Sequence, residues 1–212
     1  MIRIDALWLA VEPMDMRAGT ERLLASVVQV FGQAQAHHGY LFANARATRI
    51  KLACFDVDGT LTDGRLFFDE QGRESKAFHV LDGQGLVLLR RCGIEVALIT
   101  ARNSLVAQAR GRDLGVQTFI HAKDKLAQVQ QLCAQMQISL EQVAFMGDDL
   151  PDLTVLREVG LAVAPANAHH WVTGSVHWQT RARGGEGAAR ELCDLLLDTQ
   201  GHTEGLLGGA HP

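Results

Sequence analysis

From residue 51 onward, short apolar runs alternate with segments whose apolar residues recur at helical spacing. KLACFDV (51–57), IEVALIT (94–100), QVAFMGD (142–148) and GLAVA (160–164) have the length and content of buried strands. LVLLRRC, LVAQARGRDLG, KLAQVQQLCAQMQ and LPDLTVLREV lie between them and carry the helical pattern. Parallel neighbours need a crossover, so this alternation predicts an α/β fold, a doubly wound parallel sheet covered on both faces. In such a sheet the ligand site lies beyond the C-terminal strand ends, near the switch point.

The polar residues obey that rule. Asp56 and Asp58 follow the first apolar run, Thr100 and Arg102 the second, Asp148 and Asp149 the third. Three strands thus deliver acids, a hydroxyl and a guanidinium to one sheet edge. RLFFDEQGRESKAFHV (65–80) breaks the alternation with two short apolar pieces around Glu70-Gln71-Gly72. It reads as a β-hairpin projecting just after the first acidic loop.

Clustered carboxylates repel one another, and burial makes the repulsion worse, so Asp56, Asp58, Asp148, Asp149 and Asp152 call for a cation. Hard oxygen donors without His or Cys at ligand spacing select Mg2+. Lys125 opens the helix at DKLAQV and adds positive charge, with Lys123 as a rival for the role. Thr100 and the loop amides around Gly59 and Thr60 can donate to phosphate oxygens. This is the equipment of phosphoryl transfer, with Asp56 suited as nucleophile and Asp58 as general acid and base. Asp149 and Asp152 also suit the first turn of a helix, and His79 also suits simple packing in the hairpin.

The run FDVDGT, then Thr100, then Lys125, then GDDLPD (147–152) resembles the four motifs of the haloacid-dehalogenase-like phosphohydrolase superfamily. The resemblance implies Asp56 as nucleophile, Asp58 as acid/base, and Thr100 and Lys125 as holders of the phosphoryl group. It implies Mg2+ held by the Asp56 carboxylate, the Asp58 carbonyl and Asp148, with Asp149 and Asp152 in support. About 40 residues separate Asp58 from Thr100, and about 25 separate each later pair of motifs. That leaves no room for a cap domain, so the site must accept a large substrate or borrow a lid from another subunit.

A finer likeness runs from about residue 48 to 200. DGRLFFDEQGRESKAFHVLDGQGL, ALITAR, VAFMGDDLPDL, GLAVAPANAH and GGEGAARELCDLLL resemble the 3-deoxy-D-manno-octulosonate 8-phosphate (KDO 8-phosphate) phosphatases. That family is capless and tetrameric, so the likeness implies a homotetrameric phosphomonoesterase of lipopolysaccharide biosynthesis. Lys76, His79 and Arg102 are then the substrate-side residues, and the cations suit an acidic sugar phosphate. A phosphatase for another nonulosonate or sugar-acid phosphate fits the same motifs.

Residues 1–47 differ in kind. LWLAVEP, ERLLASVVQVFGQ and YLFAN predict strand, helix and strand, and ANARATR a linker. Pro13, Asp15, Met16, Arg17 and Gly19 resemble the PxDMRxG pattern of a TnpB-like accessory protein of insertion sequences, here truncated. The boundaries predicted are an extension at 1–47, a phosphatase domain at 48–200 and a flexible Gly-rich tail at 201–212. From another functional class comes the reading of an inert passenger on that accessory protein.

Composition closes off other classes. A chain of 212 residues with 47% apolar content has material for one full domain with a piece attached, or for two small ones. A net charge of -4 offers no basic surface for nucleic acid or anionic membrane. No apolar run approaches a signal peptide or a membrane span. Cys54, Cys92, Cys133 and Cys193 lie far apart, as free thiols in a reducing compartment do. The expected location is cytoplasmic.

Overall fold

The computed structural model describes residues 6–10, 38–42 and 50–209. The chain divides into two compact units, residues 1–49 and 50–212. In the first, strands β1 (Ala6–Ala10) and β2 (His38–Phe42) pair in parallel, Ala6 opposite His38 and Ala10 opposite Phe42. Both overlap the stretches predicted as strands, starting one and two residues earlier. The helix predicted between them lies outside the described residues.

The second unit begins with β3 (Leu52–Phe55), followed by the hairpin strands β4 (Phe67–Phe68) and β5 (Glu74–Ser75). Then come helix α1 (Val80–Arg91), β6 (Glu95–Ile99), α2 (Leu105–Leu114), β7 (Gln117–Phe119) and α3 (Lys125–Met136). The remainder is β8 (Val143–Met146), α4 (Leu153–Leu156), β9 (Leu161–Ala164), α5 (His170–Thr173), β10 (Trp178–Gln179), α6 (Ala188–Thr199) and α7 (Thr203–Leu207). Six strands form one parallel sheet in the order β10-β9-β8-β3-β6-β7.

The four predicted strands are its centre. β7 and β10 were not foreseen, because three and two residues carry no readable period. The chain runs outward from β3 to β6 and β7, then crosses back to β8 on the other side. The switch point therefore lies beside β3.

Alternation along each strand makes two cores. Phe55, Leu98, Met146 and Val163 face one side with Leu86, Leu89, Leu192 and Leu196 from α1 and α6. Cys54, Ile99, Phe145 and Ala162 face the other with Val129, Leu132 and Val155 from α3 and α4. Every strand side chain of β3, β8 and β9 is buried, as two covered faces require. Fully burying Phe55 or Phe145 contributes about 1.5–3 kcal/mol each.

Two local departures matter. LPDLTVLREV, predicted as one helix, divides into a 3-10 turn at Leu150–Asp152 and the single turn of α4. Pro151 removes a backbone donor at the start, and Asp149 and Asp152 cap the turn through their side chains. The stretch predicted as a flexible tail contains α7, whose Leu206 packs on the first core.

Candidate active site

Phe55 ends β3, but Asp56 stays in register, its N–H donating to the Met146 carbonyl of β8 at 2.9 Å. The backbone then turns sharply. The Val57 carbonyl accepts from the N–H groups of Thr60, Leu61 and Thr62 at 3.4, 2.9 and 3.1 Å. Gly59 sits inside this turn at φ +87°, and a Cβ there would lie 2.1 Å from Asp148 Oδ2. Only glycine lets the loop meet that carboxylate.

Beneath the turn, Lys125 is buried between two acids. Its Nζ lies 2.7 Å from Asp56 Oδ1 and 2.6 Å from Asp152 Oδ1. The rival Lys123 is exposed. Asp152 is saturated, because its other oxygen accepts from the backbone of Asp148 at 3.0 Å and Asp149 at 3.3 Å. Its relative exposure is 1%, against 7% for Asp56. Burial, then Asp152, pushes the Asp56 pKa well above the carboxylate range, with Lys125 opposing. The same two causes, burial foremost, push Asp148 up to about 6. Burial acts to lower the Lys125 pKa, yet Asp56 and Asp152 more than offset it and raise the value.

Carboxylate oxygens of Asp56, Asp148 and Asp152 all lie within 4.8 Å of one another. One lysine neutralises only part of that charge. Asp152 spends both oxygens on Lys125 and the backbone, so Asp56 and Asp148 retain oxygens for a cation. The donor set is all oxygen, which fits Mg2+. Asp149, predicted beside Asp148, is exposed and lies outside this group.

On the opposite side of Asp56, the chain folds the hairpin base against Asp58. Lys76 Nζ pairs with Asp58 Oδ1, and the lysine side chain is fully buried. Asp58 Oδ2 is buried with no hydrogen-bond partner, and Arg102 Nε is 3.8 Å away. Thr60 Oγ1 donates to Asp148 Oδ1 at 3.4 Å. Thr100 is buried at the end of β6, its Oγ1 accepting from the Arg102 N–H at 3.2 Å. His79 lies one residue before α1, and its Nδ1 is buried without a partner.

Thus Asp56, Asp58, Gly59, Thr60, Lys76, Thr100, Arg102, Lys125 and Asp148 gather at the C-terminal strand ends beside the switch point. Two residues that complete this group were not foreseen. Asn167 donates to the Gly59 carbonyl at 3.3 Å and accepts from the Gly184 N–H at 2.6 Å. It ties the GGEG segment onto the acidic turn, where a Cβ on Gly184 would sit 1.8 Å from the Gly59 carbonyl oxygen. Glu74, on β5, accepts from Lys76 at 3.0 Å, Arg102 at 3.1 Å and Ser104 at 2.5 Å. Its spacing from Lys76, two residues along an extended segment, puts both side chains on one face and was the readable signal.

The family model described as haloacid dehalogenase-like hydrolase matches residues 116–192. The model described as IS66 Orf2 like protein matches residues 5–73. A KDO 8-phosphate phosphatase of Yersinia pestis is 43% identical over 164 residues, covering 77% of this chain and 88% of the relative. A hypothetical protein from Xanthomonas campestris superposes with TM-score 0.76 at 61% identity, covering 77% of this chain and 90% of that one. The Moraxella catarrhalis KDO 8-phosphate phosphatase, solved with magnesium, phosphate and KDO, gives TM-score 0.75 at 37% identity, covering 77% and 95%. At this identity and coverage, the chain belongs to the 3-deoxy-D-manno-octulosonate 8-phosphate phosphatase family of haloacid-dehalogenase-like hydrolases.

Proposed function

We propose that the chain is a magnesium-dependent phosphomonoesterase that hydrolyses KDO 8-phosphate to KDO and phosphate, a step of lipopolysaccharide biosynthesis. The observation that carries this reading is the pairing of Asp56 with buried Lys125 on one side and of Asp58 with Lys76 on the other. A nucleophile and an acid/base, two residues apart, are thereby held in different surroundings at one site.

The chemistry divides between them. An Asp56 oxygen attacks phosphorus, and the bond from phosphorus to the sugar oxygen breaks. Asp58 gives its proton to that oxygen as it leaves. A water then attacks phosphorus of the aspartyl-phosphate while Asp58 takes the water's proton, and Asp56 is released as carboxylate. Lys125 and Thr100 orient the phosphoryl oxygens, while the predicted Gly59 and Thr60 amides are instead spent inside the turn on Thr62 Oγ1 and the Val57 carbonyl. Mg2+, held by Asp56, Asp148 and the Asp58 carbonyl, supplies neutralising charge for the phosphoryl group. Asp152 keeps Lys125 and the Asp148 and Asp149 backbone in place. Arg102, Lys76 and His79 face the sugar acid.

The assembly is a homotetramer. Leu66, Phe67 and Phe68 of the hairpin are 45–58% exposed, and Val80 and Leu81 nearby are 78% and 54% exposed. Apolar surface of this kind favours burial against another subunit. The extension at 1–47 is a piece separate from the catalytic domain at 48–200, whereas the tail beyond keeps its helix α7 against that domain's core. Cys54, Cys92, Cys133 and Cys193 are free thiols, in keeping with a cytoplasmic protein. No helix among the described residues is long and apolar enough to cross a membrane.

The test is a substrate panel. KDO 8-phosphate, other sugar-acid phosphates and an aryl phosphate are compared by kcat/KM with Mg2+ present. The reading predicts the largest value for KDO 8-phosphate. A larger value for another nonulosonate phosphate would reassign the substrate.

A further inference from the structure

Two cations and one acid/base meet at the hairpin base, and Glu74 makes the closer contact to Arg102 and a second contact to Lys76 beside Asp58. Its Oε1 accepts from both Lys76 Nζ at 3.0 Å and Arg102 Nη2 at 3.1 Å. The two positive head groups therefore share one oxygen, and like charges that close repel strongly unless an anion lies between them. Its Oε2 accepts from Ser104 Oγ at 2.5 Å, and that hydroxyl also caps α2 by accepting from the Ala107 N–H at 3.2 Å. Glu74 is thus bound to the hairpin by its backbone and to the start of α2 by its side chain. The glutamate side chain is only 12% exposed and the lysine side chain is fully buried, while that of Arg102 is 42% exposed. The three anchors hold Glu74 below the usual carboxylate pKa despite burial, so it stays ionised.

We propose that Glu74 is a positioning residue, which fixes the Lys76 ammonium and the Arg102 guanidinium side by side so that they receive the acidic sugar phosphate as one preformed cationic pair. Without it, Lys76 keeps its partner Asp58, while Arg102, the more exposed of the two, is left with only its 3.8 Å contact to Asp58 and moves away toward water. Binding of an anionic substrate then has to reassemble the pair against its own repulsion. The loss falls on substrate affinity, since Glu74 touches neither Asp56 nor the phosphoryl-binding groups around Lys125. This inference rests on the phosphatase reading above.

The experiment compares wild type with Glu74→Gln, Glu74→Asp, Arg102→Ala and the double variant Glu74→Gln/Arg102→Ala on KDO 8-phosphate with saturating Mg2+. Losing one charge-assisted contact predicts a KM raised about ten- to hundredfold in Glu74→Gln, with kcat lowered much less. Glu74→Asp recovers part of that loss. The double variant has a KM close to that of Arg102→Ala alone, because both changes remove the same pair. Thermal melting of each variant identifies any that fail to fold, and Glu74→Asp then decides the matter. A KM for Glu74→Gln equal to wild type overturns the proposal, and so does a loss confined to kcat. An inactive wild type sinks the phosphatase reading itself, so the two failures are distinguishable.

Discussion

Lys125 Nζ and Asp152 Oδ1 lie 2.6 Å apart with almost no exposure to solvent. The lysine turns the other way to Asp56, so one buried cation links a carboxylate that carries structure to one that carries chemistry. Removing the lysine leaves Asp56 and Asp152 buried without their cation, whereas removing Asp152 leaves Lys125 paired with Asp56. Lys125→Met should therefore cost about 3–5 kcal/mol of stability. Urea unfolding followed by circular dichroism measures it, and a cost below about 1 kcal/mol would contradict the pairing.

Asp58 is assigned the proton transfers. Asp58→Asn should lower kcat by about 10²–10⁴-fold, the contribution of general acid–base catalysis, while the fold survives. Steady-state kinetics on KDO 8-phosphate reads this directly. Full turnover by the variant would remove Asp58 from the mechanism.

Gly59 tests the contact between the acidic turn and Asp148. A methyl group there is strained by the positive φ and would collide with the carboxylate. Gly59→Ala should therefore raise the Mg2+ concentration needed for half-maximal activity by at least about tenfold, the scale seen when support for a metal ligand is lost. A magnesium titration of activity checks it, and an unchanged requirement would mean that Asp148 does not bind the ion.

The raised carboxyl pKa values make metal and pH interdependent. Asp148 has a folded-state pKa of about 6, above its unfolded value, so the unfolded chain releases that proton first as pH rises. Without metal, this group's contribution to stability is thus lost as pH climbs from about 4 through 6. Asp56, also raised, acts in the same sense. Mg2+ should therefore raise Tm more at pH 7.5 than at pH 5. Equal gains at both values would argue that the ion binds elsewhere.

Much of this was legible in the sequence, and unevenly so. β3, β6, β8 and β9 are continuous apolar runs, and Asp56, Thr100 and Asp148 stand where each run ends, so both the sheet and its functional edge could be read directly. The edge strands Gln117–Phe119 and Trp178–Gln179 could not, being shorter than any period. Asp152 was read as support for the metal, whereas its bond to Lys125 depends on α3 packing beside the Leu150–Asp152 turn. Asn167 was silent for the same reason, and so were the bonds of Glu74 to Arg102 and Ser104, its spacing from Lys76 being the one local signal. These partners lie on segments far away in sequence, and a hydrogen bond between distant loops leaves no local pattern.

The central claim is that Asp56 accepts the phosphoryl group of KDO 8-phosphate in a magnesium-dependent reaction. The direct measurement is phosphate release from that substrate by wild type and Asp56→Asn, with Mg2+ and with chelator. The account predicts steady release by wild type with Mg2+, and loss of at least about 10³-fold on removing either the ion or the Asp56 carboxylate. Undiminished release by folded Asp56→Asn, or by wild type in chelator, would contradict it.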